Sequence, residues 1–203
     1  MVNILGNFNR AALLGATLLV LTILILDGNA IDGTWFNAFL RFFHALVGVL
    51  WIGLLYYFNF VQIPTMPKVP AELKPAVTKY IAPEALFWFR WSALVTVLAG
   101  LAVMLTRGHA YAAEVMTFGL VQGLTEDQKG FTLMGIGIWL AIIMFLNVWG
   151  IIWPNQKRAL GIVVVDDAAK AKAARVAMLG SRTNLLLSLP MLTSMAMYQT
   201  LFG

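Results

Sequence analysis

The stretch that decides the fold is residues 35–61, WFNAFLRFFHALVGVLWIGLLYYFNFV. It is apolar almost throughout, and it is longer than the about 20 residues that a helix needs to cross the hydrocarbon core of a bilayer. Arg41 and His44 are its only basic residues. Because an ionisable group inside a membrane costs free energy, we expect both side chains to face other helices rather than lipid.

The composition of the whole chain agrees with a membrane location. Of its 203 residues, 61% are apolar and 11% are charged, and the mean hydropathy is +0.83. Soluble globular domains carry about 25% charged residues, so this composition argues against a water-soluble enzyme. The formal charge of +5 does not indicate a nucleic-acid partner, because the basic residues lie between apolar runs and do not cluster with base-stacking groups.

Further apolar runs flank the decisive stretch. They predict four more spans, at residues 11–26, 86–106, 131–153 and 185–201. The span at residues 131–153 is expected to end at Pro154, because proline lacks the N–H that a helix interior requires. The predicted fold is an all-α integral membrane bundle of about five transmembrane helices, forming a single domain over residues 1–203.

One more helix is predicted outside the membrane. The alanine-rich residues 167–179 follow Asp166, an expected N-cap, and precede Gly180, an expected helix end. The charged residues of this segment are typical of a solvated face, so we expect a helix on the cytoplasmic surface.

The distribution of basic residues predicts the orientation in the membrane. With five spans, ten Lys and Arg residues lie on the side of the N-terminus, whereas Arg107 and Lys129 lie on the other side. Basic loops remain cytoplasmic. We therefore expect a multi-pass protein of the bacterial inner membrane with a cytoplasmic N-terminus and a periplasmic C-terminus.

Several chemistries are excluded by residue counts. The chain has no cysteine and only two histidines, His44 and His109. Disulfides, thiolate-bound zinc, iron–sulfur clusters and the CxxCH motif of covalently attached haem are therefore absent. No carboxylate falls inside a predicted span, so acid–base catalysis and an Asp/Glu proton relay are poorly supported.

Six residues of the second span, which include both of its basic residues, share one helix face. They follow a spacing of three and four residues: Asn37, Arg41, His44, Gly48, Trp51 and Leu55. This face predicts a cofactor site in which His44 is an axial ligand of a non-covalent haem b, and Arg41 binds a propionate. Gly48 would leave room for the ligand, and Trp51 lies on the same face. The alternative is a packed, hydrogen-bonded His44 with Arg41 extended to the interface.

Two other polar residues lie inside predicted spans. Arg90 is a candidate contact for a lipid phosphate, a substrate carboxylate or a carboxylate of a partner chain, or else an arginine that reaches the interface among aromatic residues. Asn147 is expected to form a hydrogen bond between helices.

Several stretches together resemble a known family. They are RFFHALVGVLWIGLLYYF at residues 41–58, PE at 83–84, WFRW at 88–91, NVWGIIWPNQKR at 147–158, and Asn184 with Leu189 and Pro190. In this order, over residues 35–200, they resemble the N-terminal membrane domain of the bacterial cytochrome c urate oxidases. The resemblance implies a helical membrane domain associated with respiratory redox chemistry.

The function that we expect follows from the positions at which this sequence differs from the family. This chain lacks the cytochrome c motif, and it has Ala85, Phe87, Gly135 and Thr183 where the family carries further histidines. We therefore expect an accessory subunit of a respiratory or other redox membrane complex, which binds lipids and either other membrane subunits or copies of itself. Two alternatives remain open: a haem-binding electron-transfer or urate-oxidising subunit using His44, and a small-anion carrier using Arg41 and Arg90.

Overall fold

A computed structural model describes residues 2–27, 33–121 and 128–202 of the chain. Within these ranges every regular element is helical, which confirms the all-α prediction. The helices are α1 (Val2–Leu5), α2 (Phe8–Asp27), α3 (Gly33–Lys68), α4 (Lys74–Thr106), α5 (His109–Met116), α6 (Gln128–Ala159) and α7 (Asp167–Leu201).

Four of these helices are long and apolar enough to cross a membrane. They are α2, α3, α4 and α6, and they contain the first four predicted spans. The fifth predicted span, residues 185–201, forms the second half of α7, which is not among the four. Its serine, threonine and glutamine residues lower its hydropathy, and Ser188 and Ser194 are buried in the protein.

The chain divides into two compact units, Met1–Phe36 and Asn37–Gly203. The first unit contains α1, α2 and the first turn of α3, and the spanning window of α2, Phe8–Ile25, has no buried side chain. The second unit contains the remaining helices and the hydrophobic core. That all 203 residues form one membrane domain stays a prediction.

The predicted helix end at Pro154 is wrong. A π-helical turn, Val148–Ile152, precedes this proline, and α6 then continues in α-helical form over Trp153–Ala159. Proline is tolerated there because it lies in the first turn of the resumed α-helix, where the missing N–H costs little. Similar π-helical turns interrupt α3 at Tyr57–Gln62 and α4 at Val77–Ile81.

The predicted helix end at Gly180 is also wrong, although α7 does begin at the expected N-cap. The Asp166 carboxylate accepts a hydrogen bond of 2.7 Å from the Ala169 N–H. The helix then runs without a break through Gly180, where a Cβ atom would lie only 3.0 Å from Ile152 Cγ1. This glycine allows two helices to approach closely, and it does not terminate one.

The predicted surface helix is therefore the first half of α7, and one side of it is not solvated. Ala173 and Ala177 are buried. Further along, α7 runs antiparallel to α6, because Gly180 meets Ile152, Ser194 meets Gly137, and Phe202 meets Gly130. The core of this unit lies beside the pair and includes Trp51, Leu55, Phe89, Met144 and Met191.

Candidate functional site

The polar face of α3 points into the protein, as the sequence predicts. Trp51 and Leu55, further along α3 on this face, are 1% and 0% exposed. Arg41 and His44, nearer to the N-terminus of α3, are half-buried and line a cavity. Neighbouring helices therefore surround the two basic side chains within the second unit.

The imidazole of His44 is held by a backbone carbonyl of α4. Its Nδ1 lies 2.8 Å from the Thr96 carbonyl oxygen. A carbonyl can only accept, so Nδ1 carries the proton and donates it, which leaves the lone pair on Nε2. Nε2 has no hydrogen-bond partner among the described residues. The arrangement fixes both the tautomer and the ring orientation of His44.

The His44 ring rests on a line of small residues in α4. Ser92, Thr96 and Gly100 recur every four residues and therefore share one helix face. A Cβ atom at Gly100 would lie 2.9 Å from His44 Cε1, so only glycine leaves room for the ring. Gly100 is not among the residues predicted for the site, although this small-residue pattern, common at membrane helix contacts, indicates it.

The cavity beside His44 has a volume of about 270 Å³ and a largely apolar wall. Five helices, α3, α4, α5, α6 and α7, and the α4–α5 connection contribute to it. The lining residues are Arg41, His44, Ala45, Val97, Gly100, Leu101, Val103, Met104, Arg107, Tyr111, Met134, Ile138, Ala141, Ile142, Met195 and Gln199. An apolar chamber with a few convergent polar groups is the usual form of a ligand site.

A cationic and phenolic cluster forms one side of this cavity. Arg107 Nη1 donates to the hydroxyl oxygens of Tyr111, at 3.1 Å, and of Tyr198, at 3.3 Å. The Tyr111 hydroxyl in turn donates to that of Tyr198 at 3.3 Å. Burial, together with the interaction with Tyr198, raises the pKa of Tyr111 to about 12, although Arg107 acts in the opposite direction. Tyr111 is therefore a neutral donor at physiological pH.

The residues that the structure places around the cavity include no carboxylate to balance its charge. Among the described residues, neither Arg41 nor Arg107 is paired with Asp or Glu. The same part of the chain holds no group of three or more His, Asp or Glu side chains that could bind a metal ion. The cavity therefore presents two guanidinium groups and one imidazole on an apolar wall.

Two of the expected cofactor residues do not line the cavity. Trp51 is enclosed in the core, and its Nε1 has no hydrogen-bond partner among the residues that the structure describes. Gly48 packs against α4, where an added Cβ would meet Thr96 Cγ2 at an ordinary distance of 3.6 Å. The space beside His44 is left by Gly100 in the neighbouring helix.

Arg90 does not line the cavity either. Its guanidinium carbon lies 3.9 Å from the ring centroid of Trp153 and 5.3 Å from that of Phe87. The Arg90 carbonyl accepts a hydrogen bond from Trp149 Nε1 at 3.2 Å, which joins α4 to α6. Arg90 is therefore separate from the cavity that His44 lines.

Asn147 connects α6 to α7 through side-chain hydrogen bonds. Its Nδ2 donates to the Gly180 carbonyl at 2.8 Å and to Asn184 Oδ1 at 2.7 Å. Asn184 Nδ2 donates back to the Met144 carbonyl of α6 at 3.0 Å. Since all three acceptors are oxygens, the orientations of both amides are determined. This network holds the two helices in register.

The family expected from the sequence stays a prediction. At Gly135, one of the positions where that family carries histidine, a Cβ atom would collide with the Val115 carbonyl, so no larger side chain fits. No family model, no curated protein and no solved structure matches this chain.

Proposed function

We propose that this protein is an integral membrane subunit of a redox assembly, and that its cavity binds haem b. One observation carries the proposal: His44, whose Nε2 has no hydrogen-bond partner among the described residues, lines an apolar cavity together with two guanidinium groups that no described carboxylate pairs with. Haem b combines an apolar macrocycle, an iron atom that accepts imidazole nitrogen, and two carboxylates. The donor set fits each of these parts.

The residues have distinct roles in this proposal. His44 binds the iron through Nε2, and the Thr96 carbonyl orients its ring from the other nitrogen. Arg41 and Arg107 bind the propionates, since guanidinium and carboxylate form charge-assisted hydrogen bonds. The apolar side chains of the wall keep water from the macrocycle. A haem bound there would supply electron transfer.

The proposal is tested by absorption spectroscopy of the full chain purified from cells supplied with haem precursor. We expect a haem spectrum in the wild type and its loss in His44→Ala. His109→Ala is the matched control, because His109 is exposed and lies outside the cavity. It should retain the spectrum. Monodisperse elution of both variants checks that they are folded.

Two outcomes would contradict haem binding by His44. One is a haem spectrum that survives in His44→Ala, and the other is a colourless wild type after haem supply. A colourless protein that is purified only together with larger membrane proteins would favour an accessory subunit without a cofactor of its own.

A further inference from the structure

A second cationic site lies around Trp153, apart from the cavity. Arg90 is stacked 3.9 Å from the centroid of this ring, and Lys157 Nζ lies 5.8 Å from the same centroid. Two cations beside one aromatic ring repel each other, and a nearby anion would offset this repulsion by attracting both. Cation–π contacts hold both groups in place, so the site is formed before any anion binds.

The described part of the chain does not provide that anion. Arg90 has no carboxylate partner among the described residues, and its Nη1 is buried without a hydrogen-bond partner. Glu84, in the first turn of the α-helical part of α4, accepts a hydrogen bond from Trp88 Nε1 instead. The buried Nη1 therefore lacks the acceptor that buried donors in proteins almost always have.

The surroundings of Arg90 are typical of a membrane interface. Phe87, Trp88 and Trp91 are exposed and lie near one end of the apolar part of α4. Lys157 lies beyond the apolar part of α6, four residues after Trp153. Aromatic side chains and basic residues that reach outward mark the level of lipid headgroups.

From these contacts we infer that Arg90 and Lys157 bind the phosphate of an anionic phospholipid beside Trp153. The planar guanidinium matches phosphate oxygens through parallel N–H groups, and the lysine ammonium adds a point charge. The phosphate would lie near both cations and offset the repulsion between them. This site is independent of haem binding.

The inference is tested by native mass spectrometry of the full chain in detergent, with phosphatidylglycerol or phosphatidylcholine added at equal concentrations. The wild type should retain phosphatidylglycerol in preference. Arg90→Gln and Lys157→Gln should each weaken this retention about tenfold, because each removes a charge-assisted contact. Arg175→Gln removes the same charge from an exposed position of α7 and should leave retention unchanged.

Three results would overturn the inference. They are equal retention of both lipids by the wild type, an equal loss in Arg175→Gln and Arg90→Gln, and displacement of the lipid by millimolar inorganic phosphate. The last result would make the free anion the ligand. Lys157→Gln keeps the test valid if Arg90→Gln does not fold, since the contact with Trp153 is the only one described for the Lys157 side chain.

Discussion

At the scale of single residues, contacts from neighbouring helices determine what each basic side chain does. Arg41 and Arg90 both lie inside predicted spans, and in sequence either is a candidate for binding an anion. In the structure Arg41 shares a cavity with His44, whereas Arg90 is stacked on Trp153. His44 itself receives its tautomer from one carbonyl, that of Thr96. Each role depends on a residue of another helix.

The space for the His44 ring should depend on Gly100. A Cβ atom in Gly100→Ala would lie 2.9 Å from His44 Cε1 and 3.0 Å from Nδ1, so the ring must move from the Thr96 carbonyl. We expect the free energy of unfolding to fall by about 1–3 kcal/mol, measured by denaturation in detergent.

Gly48→Ala is the matched control for this prediction, because its Cβ would only make an ordinary contact of 3.6 Å with Thr96. Its free energy of unfolding should not fall, because this contact is ordinary and alanine favours a helix more than glycine does. Equal effects of the two substitutions would show that Gly100 is not specifically required beneath His44.

At the level of helices, the contact between α6 and α7 shows how two helices associate in a membrane. Small residues and hydrogen bonds stabilise this contact, where hydrophobic burial would do so in a soluble protein. Lipid is as apolar as a leucine side chain, so helices in a membrane gain from close backbone approach and from hydrogen bonds between them. Gly180 provides the approach and Asn147 provides the hydrogen bonds, at the same point of the contact.

A side chain at this point should separate the two helices. In Gly180→Ala, the new Cβ would lie 3.0 Å from Ile152 Cγ1 and 3.2 Å from Asn147 Oδ1. We expect a loss of about 1–3 kcal/mol in the free energy of unfolding, since the contact must open and weaken the Asn147 hydrogen bonds.

Gly53→Ala serves as the control for the helix contact, because nothing lies within 4 Å of the Cβ position at Gly53. It should be neutral or stabilising, since alanine favours the helix more than glycine does. A Gly180→Ala protein as stable as Gly53→Ala in the same denaturation experiment would contradict the close contact.

The sequence predicts most of the elements and misses their interruptions for a physical reason. Apolar length is readable because a spanning helix needs a fixed number of residues. A π-helical turn such as Val148–Ile152 leaves no such pattern, because one residue of changed register alters neither length nor hydropathy. Gly180 is equally ambiguous in sequence, since glycine both ends helices and permits their close approach.

For the molecule as a whole, the contacts of α7 bear on how many times the chain crosses the membrane. Its Tyr198 contacts Arg107 and Tyr111 beyond the end of α4, while its Gly180 contacts Ile152 near the end of α6. These contacts place Gly180 and Tyr198, 18 residues apart in α7, near opposite ends of the bundle formed by α4 and α6. A fifth crossing of the membrane by the second half of α7 stays a prediction.

The absence of cysteine allows this topology to be tested with single cysteines. We expect Ala110→Cys and Thr200→Cys, both at exposed positions, to react with a membrane-impermeant maleimide in intact spheroplasts. Ala174→Cys, also exposed, should react only after the membrane is opened, because ten basic residues are expected on the cytoplasmic side.

Labelling of Thr200→Cys is the decisive measurement in this set. If it reacts only in opened membranes while Ala110→Cys reacts in intact ones, α7 does not cross the bilayer. If Ala174→Cys reacts from outside and Ala110→Cys does not, the orientation is reversed. The cysteine-free wild type controls for labelling of other groups.

The sequence by itself determined that this chain forms apolar helices with two basic residues on an inward face of α3. That much follows from composition and spacing, because a helix satisfies its own backbone hydrogen bonds and its period places residues on faces. Only the tertiary structure shows that the His44 imidazole contacts the Thr96 carbonyl, 52 residues away, and packs against Gly100. It also shows that Arg107, and not Arg90, lines the same cavity as Arg41. Such contacts depend on how helices pack, and packing is not encoded in the periodicity of any one of them.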